Sequence, residues 1–177
     1  DTGFFFTASD TIGLYHRTGG GFTGYVSTLA TFRDPAAWYH LVFVYDSTNA
    51  TATERMRIYV NGVRQAVDVN NTLPQNTAGF VNSNVTHYLG ASSALGVNTI
   101  MDGYMAEIYL VDGQALDPTY FAATNATTNE WLPKAYTGSY GVNGGYLSLA
   151  NNAALANLGW DTRGITIATD GYPAQIY

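Results

Sequence analysis

The feature that most constrains this fold is a pair of strand patterns joined by a hairpin turn. Residues 55–60 alternate polar and apolar side chains, which is the period-two pattern of a strand with one buried face. Asn61 and Gly62 follow, and both residue types tolerate the positive φ angles of a tight hairpin turn. Residues 63–69 are predicted to form the second strand of this hairpin. This order predicts an antiparallel β-sheet.

Short strand patterns of the same kind cover most of the chain, and turn residues separate them. The spacing predicts an all-β sandwich or barrel. One short helical turn is expected after Asp117, which would cap it with Pro118 in its first position. The other predicted strands are residues 4–8, 11–17, 22–32, 38–46, 85–91, 100–111 and 145–150.

Composition excludes several classes of protein. The 177 residues are 46% hydrophobic, which excludes intrinsic disorder, and no apolar run is long enough to predict membrane insertion. The net charge is −6 with no basic run, so we expect no nucleic-acid partner. The chain has no cysteine, which excludes disulfides and thiolate metal sites. Only 11% of residues are charged, which favours packing against copies or other subunits.

Four segments, in order, resemble the laminin-G-like and concanavalin A-like lectin/glucanase domains. They are the strand WYHLVFVYD at 38–46, the hairpin RIYVNGV at 57–63, HYLG at 87–90 and MDGYMAEI at 101–108, with QALD following at 114–117. The resemblance implies an antiparallel two-sheet jelly-roll sandwich, often with carbohydrate binding. We expect residues 1–177 to form a single domain, with residues 151–177 as a covering arm.

Three further phrases resemble the version of this domain in bacteriophage virion proteins, such as tail fibres and capsid-surface proteins. They lie at 32–40, 111–118 and 136–144. The resemblance implies a location on the virion surface or outside the cell, and a homo-oligomer that contacts other virion or surface-assembly subunits. Members of that group carry further strands before the position of Asp1, so we expect a fragment of a longer protein, with strands from outside this chain completing the sandwich.

Strand periodicity separates a predicted core from a candidate glycan-binding patch. Leu41, Phe43 and Tyr45 should face inward, together with Ile58, Val60, Ile108 and Leu110. Aromatic and charged side chains on the same strands should then face outward, and they suit stacking and hydrogen bonding to a sugar. If their strands are neighbours, they form one patch; the alternative is that loops or another subunit cover it. The patch residues are Trp38, His40, Arg57, Tyr59, Glu107 and Tyr109.

We expect no enzymatic activity and no cofactor. Glycoside hydrolysis needs two carboxylates that flank one bond, whereas Glu107 and Asp112 are five residues apart and would face opposite sides of a strand. A calcium site built from Asp46, Asp102 and Asp112 at strand ends is the metal alternative to their role as turn residues. The function predicted is a non-catalytic virion structural or adhesion module that recognises carbohydrate. The alternatives are a secreted bacterial carbohydrate-binding module and a diverged glycoside hydrolase.

Overall fold

The computed structural model describes residues 1–83, 85, 87–91 and 101–149, and these form an all-β structure with antiparallel sheets. The all-β prediction is confirmed. The chain divides into two compact units, one of Asp1–Ser83 with Ala115–Gly138 and one of Asn84–Gln114 with Ser139–Tyr177. That residues 1–177 form a single domain stays a prediction, and the proposed arm at 151–177 lies outside the described residues.

The first unit contains a four-stranded sheet and a three-stranded sheet, called here the first and second sheets. The first sheet has the spatial order β1, β2, β3, β7, and the second has the order β4, β5, β6. A third, two-stranded ladder pairs β9 with β10. The strands of these sheets are β1 (Thr2–Phe6), β2 (Ile12–Thr18), β3 (Gly21–Thr28), β4 (Leu41–Tyr45), β5 (Met56–Val60), β6 (Val63–Arg64), β7 (Val67–Asn71), β9 (Ala122–Thr124) and β10 (Trp131–Pro133).

The core of the first unit lies between its two main sheets. Ile12 on β2 and Ile58 on β5 are fully buried in one apolar cluster, which Leu73 joins from beyond β7. Phe4 on β1 stacks on Phe43 on β4 with ring centroids 4.0 Å apart, so the two sheets meet across these side chains. Two sheets that pack face to face form a β-sandwich, and this unit therefore has the architecture that the resemblance implied.

The inward orientation predicted for the second sheet is confirmed. Leu41, Phe43 and Tyr45 lie opposite Val60, Ile58 and Met56 in the β4–β5 register, and all six belong to or pack against the core cluster. Residues that lie opposite one another in an antiparallel pair point to the same face of the sheet. The register between β4 and β5 therefore fixes the orientation of all six side chains.

The second unit departs from the prediction for residues 100–111. Among its described residues, the strand β8 spans only Ile108–Leu110 and pairs with β11 (Gly145–Leu147), whereas residues 101–107 are not in a strand. Ile108 and Leu110 are half-buried. That they join Phe43 and Ile58 in one core stays a prediction. A strand exists only where a neighbour supplies the hydrogen bonds, and β11 accompanies β8 for three residues.

Turns and caps follow the sequence closely. Asn61 and Gly62 have φ angles of 48° and 80°, which is the left-handed pair that a tight hairpin requires. The Asp117 side chain accepts a hydrogen bond from the Thr119 amide at 2.8 Å and so caps the short 3-10 helix Pro118–Tyr120, as predicted. A second 3-10 helix, Ala52–Glu54, precedes β5. No helix among the described residues has the length and apolar content needed to cross a bilayer.

Candidate functional site

The outward surface of the first sheet carries a continuous group of aromatic rings. On β2 the buried residues Ile12, Leu14 and His16 alternate with outward residues, so Tyr15 must point away from the core. Neighbouring strands place further rings at the same level. We call the resulting surface the aromatic face, and it consists of Phe5, Tyr15, Phe22 and Tyr25.

The four rings contact one another in a closed arrangement. Tyr25 stacks with Phe22 at 5.0 Å and 22° and with Phe5 at 6.1 Å and 20°. Tyr15 meets Phe5 and Phe22 edge-on, at 5.7 and 5.8 Å. Offset-stacked and edge-on pairs at these separations each stabilise by about 0.5–1.5 kcal/mol beyond burial. The face is therefore ordered before any ligand arrives.

A β-bulge places Phe22 on this face. His16 lies opposite Gly24, yet the next residue, Arg17, lies opposite Phe22, so Thr23 is an extra residue in β3. Without that extra residue, Phe22 would share the inward side of Gly24. The bulge therefore redirects the Phe22 side chain to solvent, where it is 43% exposed.

Two glycines allow the rings to lie close to the sheet. A Cβ atom at Gly13 would come within 2.9 Å of Phe5 and 3.1 Å of Tyr25, since both rings lean over the middle strand. A Cβ atom at Gly3 would come within 3.1 Å of the Tyr15 hydroxyl. Glycine within a strand often marks such close approach, and the covering ring compensates for the missing side chain.

Polar groups border the aromatic face. The Arg17 guanidinium lies 5.1 Å from the Phe22 ring centroid and donates to the Gly20 carbonyl at 3.1 Å. Asn70 donates to the Ser27 hydroxyl at 3.2 Å beside the rings. Burial raises the pKa of the Tyr15 hydroxyl, and Arg17 partly opposes this, so Tyr15 is a neutral hydrogen-bonding group at physiological pH. Apolar rings with a few polar groups at their edge are the composition of a small-molecule site.

The residues of the patch predicted from the sequence lie in both units. Arg57 and Tyr59 lie on β5, and β5 pairs with β4 and β6, whereas Tyr109 lies on β8, which pairs with β11. That the six residues form one patch stays a prediction. Trp38 precedes β4 and is 68% exposed.

His40 contacts an aromatic residue that the sequence analysis did not single out. Its Nδ1 accepts a hydrogen bond from Nε1 of Trp131 at 3.0 Å. The Trp131 ring also covers Gly62, where a Cβ atom would approach it to 2.9 Å. Burial lowers the pKa of His40, which keeps the imidazole neutral and able to accept. His40 is therefore a structural residue of the hairpin end.

Arg57 forms part of a network of charges. Its guanidinium lies 3.9 Å from carboxylate oxygens of both Asp46 and Glu54. Glu54 also receives two hydrogen bonds from Arg64, at 2.7 and 2.9 Å, and this bonding holds the pKa of Glu54 below its usual value. A carboxyl that stays ionised in this way cannot serve as a general acid near neutral pH.

Glu107 and Tyr109 form a separate cluster in the second unit. The Glu107 carboxylate accepts hydrogen bonds from the hydroxyls of Tyr146 at 2.7 Å and Tyr109 at 3.1 Å, and the two rings stack at 4.7 Å. Burial and this carboxylate raise the pKa of Tyr109 to about 12 and that of Tyr146 further above its usual value. Glu107 itself precedes β8 with a φ of 55°, so it does not lie on a strand as predicted.

The three aspartates considered for calcium have different surroundings, each described within its own unit. Asp46 accepts hydrogen bonds from Thr48 and Asn49, and Asp112 accepts one from the Asn143 side chain. Asp102 is exposed. No group of three or more His, Asp or Glu side chains among the described residues could hold a metal ion. Asp46 has the role of a turn residue that fixes its own loop.

The aromatic face was not predicted from the sequence, although the alternation on β2 indicates part of it. Gly13, Tyr15 and Arg17 alternate with apolar residues on β2, and this pattern places Tyr15 on the outward side. Phe22 could not be assigned, because the bulge at Thr23 breaks the period on which the prediction depends. The contribution of Phe5 depends on pairing between β1 and β2, which residue order alone does not give.

The fold defines a class, namely an antiparallel β-sandwich of the concanavalin A-like kind. The family model Laminin_G_3, described as the Concanavalin A-like lectin/glucanases superfamily, matches residues 1–120, and the chain belongs to that family. The family predicted from the sequence is confirmed, whereas the narrower resemblance to bacteriophage virion proteins stays a prediction. No curated protein and no solved structure matched the chain.

Proposed function

We propose that this protein is a non-catalytic module that binds carbohydrate through the aromatic face of its first sheet. The ordered group of rings, with Tyr25 in contact with both Phe5 and Phe22, is the observation on which the proposal depends. Sugar rings present apolar CH surfaces that pack on aromatic faces, while their hydroxyls need polar partners at the edge. Ser27 and Asn70 lie where such partners are required.

The arrangement of carboxylates supports a binding role over hydrolysis. Glycosidases pair an acid of raised pKa with an ionised carboxylate. Glu54 instead has a lowered pKa because of Arg64, and Glu107 is held by two tyrosine hydroxyls. A diverged glycoside hydrolase therefore remains the weakest of the three alternatives.

We propose further that the module belongs to a virion structural or adhesion protein. The low charged fraction of 11% and the bacteriophage-like phrases at 32–40, 111–118 and 136–144 support this assignment. Other virion subunits and further copies of the chain are the proposed partners, and the virion surface is the proposed location. A secreted bacterial carbohydrate-binding module would share the glycan site and differ in its assembly.

Replacement of single rings tests the glycan site. We expect Tyr25→Ala and Phe22→Ala to weaken binding in a glycan array or a polysaccharide pull-down by about tenfold or more, as loss of a stacking anchor does. Trp38→Ala is the matched control, because Trp38 is an exposed aromatic residue outside the aromatic face. Phe22→Ala keeps the test valid if Tyr25→Ala unfolds, since Phe22 is more exposed. Binding that survives both changes and is lost in Trp38→Ala would contradict the proposal.

A further inference from the structure

We infer that the glycan recognised by the aromatic face is uncharged; this rests on the proposed function. The inference comes from the charges around the rings. Recognition of a sulfate or carboxylate on a sugar typically uses guanidinium or ammonium groups that are available to pair with it. One such group, Arg17, borders the aromatic face, and it already contacts the Phe22 ring and the Gly20 carbonyl.

Carboxylates lie on other borders of the same surface. The Tyr15 hydroxyl donates to the Asp1 carboxylate at 3.5 Å. Asp68 lies opposite Ser27 in the β3–β7 register and is exposed. An anionic sugar placed on the rings would therefore meet two carboxylates and two engaged cations, Arg17 and the Asp1 ammonium, which donates to the Arg17 carbonyl at 2.9 Å. A neutral sugar would find hydrogen-bond acceptors for its hydroxyls.

The remaining arginines of the described chain are also engaged. Arg55 donates to the carbonyls of Asn49, Ala50 and Leu73. The others pair with carboxylates, as Arg33 does with Asp10 at 2.8 Å. Arg57 and Arg64 share Glu54. The described residues thus contain no unpaired arginine cluster that a polyanion could use, and the formal net charge of −6 repels it at longer range.

Binding across a salt series tests this inference. Neutral glucans and mannans would be compared with heparin, alginate and polysialic acid, between about 0.02 and 0.5 M NaCl, because added salt screens exposed charges over this range. We expect the protein to bind a neutral polysaccharide, with affinity changing less than about twofold across the series. We expect Tyr25→Ala to abolish this binding and the polyanions not to bind.

Results that contradict the uncharged ligand differ from results that contradict the glycan site itself. Polyanion binding that Tyr25→Ala removes and salt weakens would overturn the inference and leave the proposed glycan site standing. Absence of binding to glycans of either kind would overturn both. Arg17→Gln gives an internal check, because an anionic ligand would lose a charge-assisted bond and its affinity should fall far more than that of a neutral ligand.

Discussion

At the scale of single residues, His16 is a polar side chain held in the core of the first unit. It is fully buried on the inward side of β2, and its Nδ1 hydrogen-bonds the Thr2 hydroxyl at 2.8 Å. The Phe80 ring stacks on it at 5.4 Å, and the Phe80 amide donates to the same Thr2 hydroxyl. Nε2 is buried without a hydrogen-bond partner among the described residues. A proton added to this imidazole would thus create a buried cation.

The stability of the protein should therefore fall with acid. Burial, with a smaller contribution from the N-terminal amine, lowers the pKa of folded His16 below its unfolded value of 6.5. The folded state then binds fewer protons, so the stabilisation is complete above pH 6.5 and is lost as the pH falls through the lowered pKa. Urea denaturation between pH 7.5 and 5 measures this loss.

Two variants separate the contributions of the histidines. His16→Gln should flatten the pH dependence of the unfolding free energy, while His40→Gln should flatten it less, since His40 is only half-buried and already has a hydrogen-bonding partner in Trp131. An unchanged slope in His16→Gln would contradict this account.

Predictions for single residues were correct where the alternation along a strand is enough to determine which side chains face the core. Leu41, Phe43 and Ile58 were assigned to the core correctly, because alternation fixes the side of a strand without knowledge of its partner. For Leu110 the same alternation does not reveal which sheet the strand joins, and β8 pairs with β11. The sequence thus predicts orientation better than it predicts neighbours.

At the scale of elements, the β2 strand depends on a glycine for the aromatic face. Gly13→Ala would place a Cβ within 2.9 Å of Phe5, so the rings must move and the free energy of unfolding should fall by about 1–3 kcal/mol. Glycan affinity should fall as well, because Phe5 and Tyr25 would separate. Thermal or urea unfolding, together with the glycan assay, measures both effects.

Gly21→Ala is the matched control for that change. Gly21 also lies in this hairpin, at the start of β3, yet no atom lies near the position of its Cβ. We expect its unfolding free energy to change by no more than about 0.5 kcal/mol. Equal losses in the two variants would show that any alanine in this hairpin is harmful, and that ring contact is not the cause.

Elements differ in how well their sequence encodes them. The hairpin from β5 to β6 and the cap at Asp117 were predicted correctly, since Asn61, Gly62 and Asp117 act through their own backbone neighbours. The strand at 100–111 was predicted too long, because β8 depends on pairing with β11, which is more than 30 residues away in the chain. In the candidate site, the orientation of Phe22 could not be predicted, because the bulge at Thr23 depends on how β3 pairs with β2.

At the scale of the whole molecule, low charge and exposed apolar surface point to assembly. Trp38, Leu29 and Val63 are each more than 60% exposed. β1 is an edge of the first sheet among the described strands, and its core-facing Phe4 is 53% exposed. An uncharged edge strand and exposed apolar side chains favour contact with another chain.

We therefore expect a fixed homo-oligomer in solution. Size-exclusion chromatography with light scattering, over a hundredfold range of concentration, should give one mass that is a multiple of 19.1 kDa. Phe6→Lys should reduce the oligomer mass, because Phe6 is 46% exposed on β1 and a lysine on an edge strand opposes pairing, whereas Asp34→Lys on an exposed turn should not. A monomer at every concentration would favour the secreted carbohydrate-binding module over the virion component.

The alternation on β2 has a consequence for how the protein can change over generations. Ile12, Leu14 and His16 face the core, while Tyr15 and Arg17, on the same strand, face outward. If the aromatic face binds glycan as proposed, point mutations in the outward codons would alter the preferred ligand without disturbing the interior. A virion module of this kind would adapt to a new host coat by exchanging residues on one side of a strand.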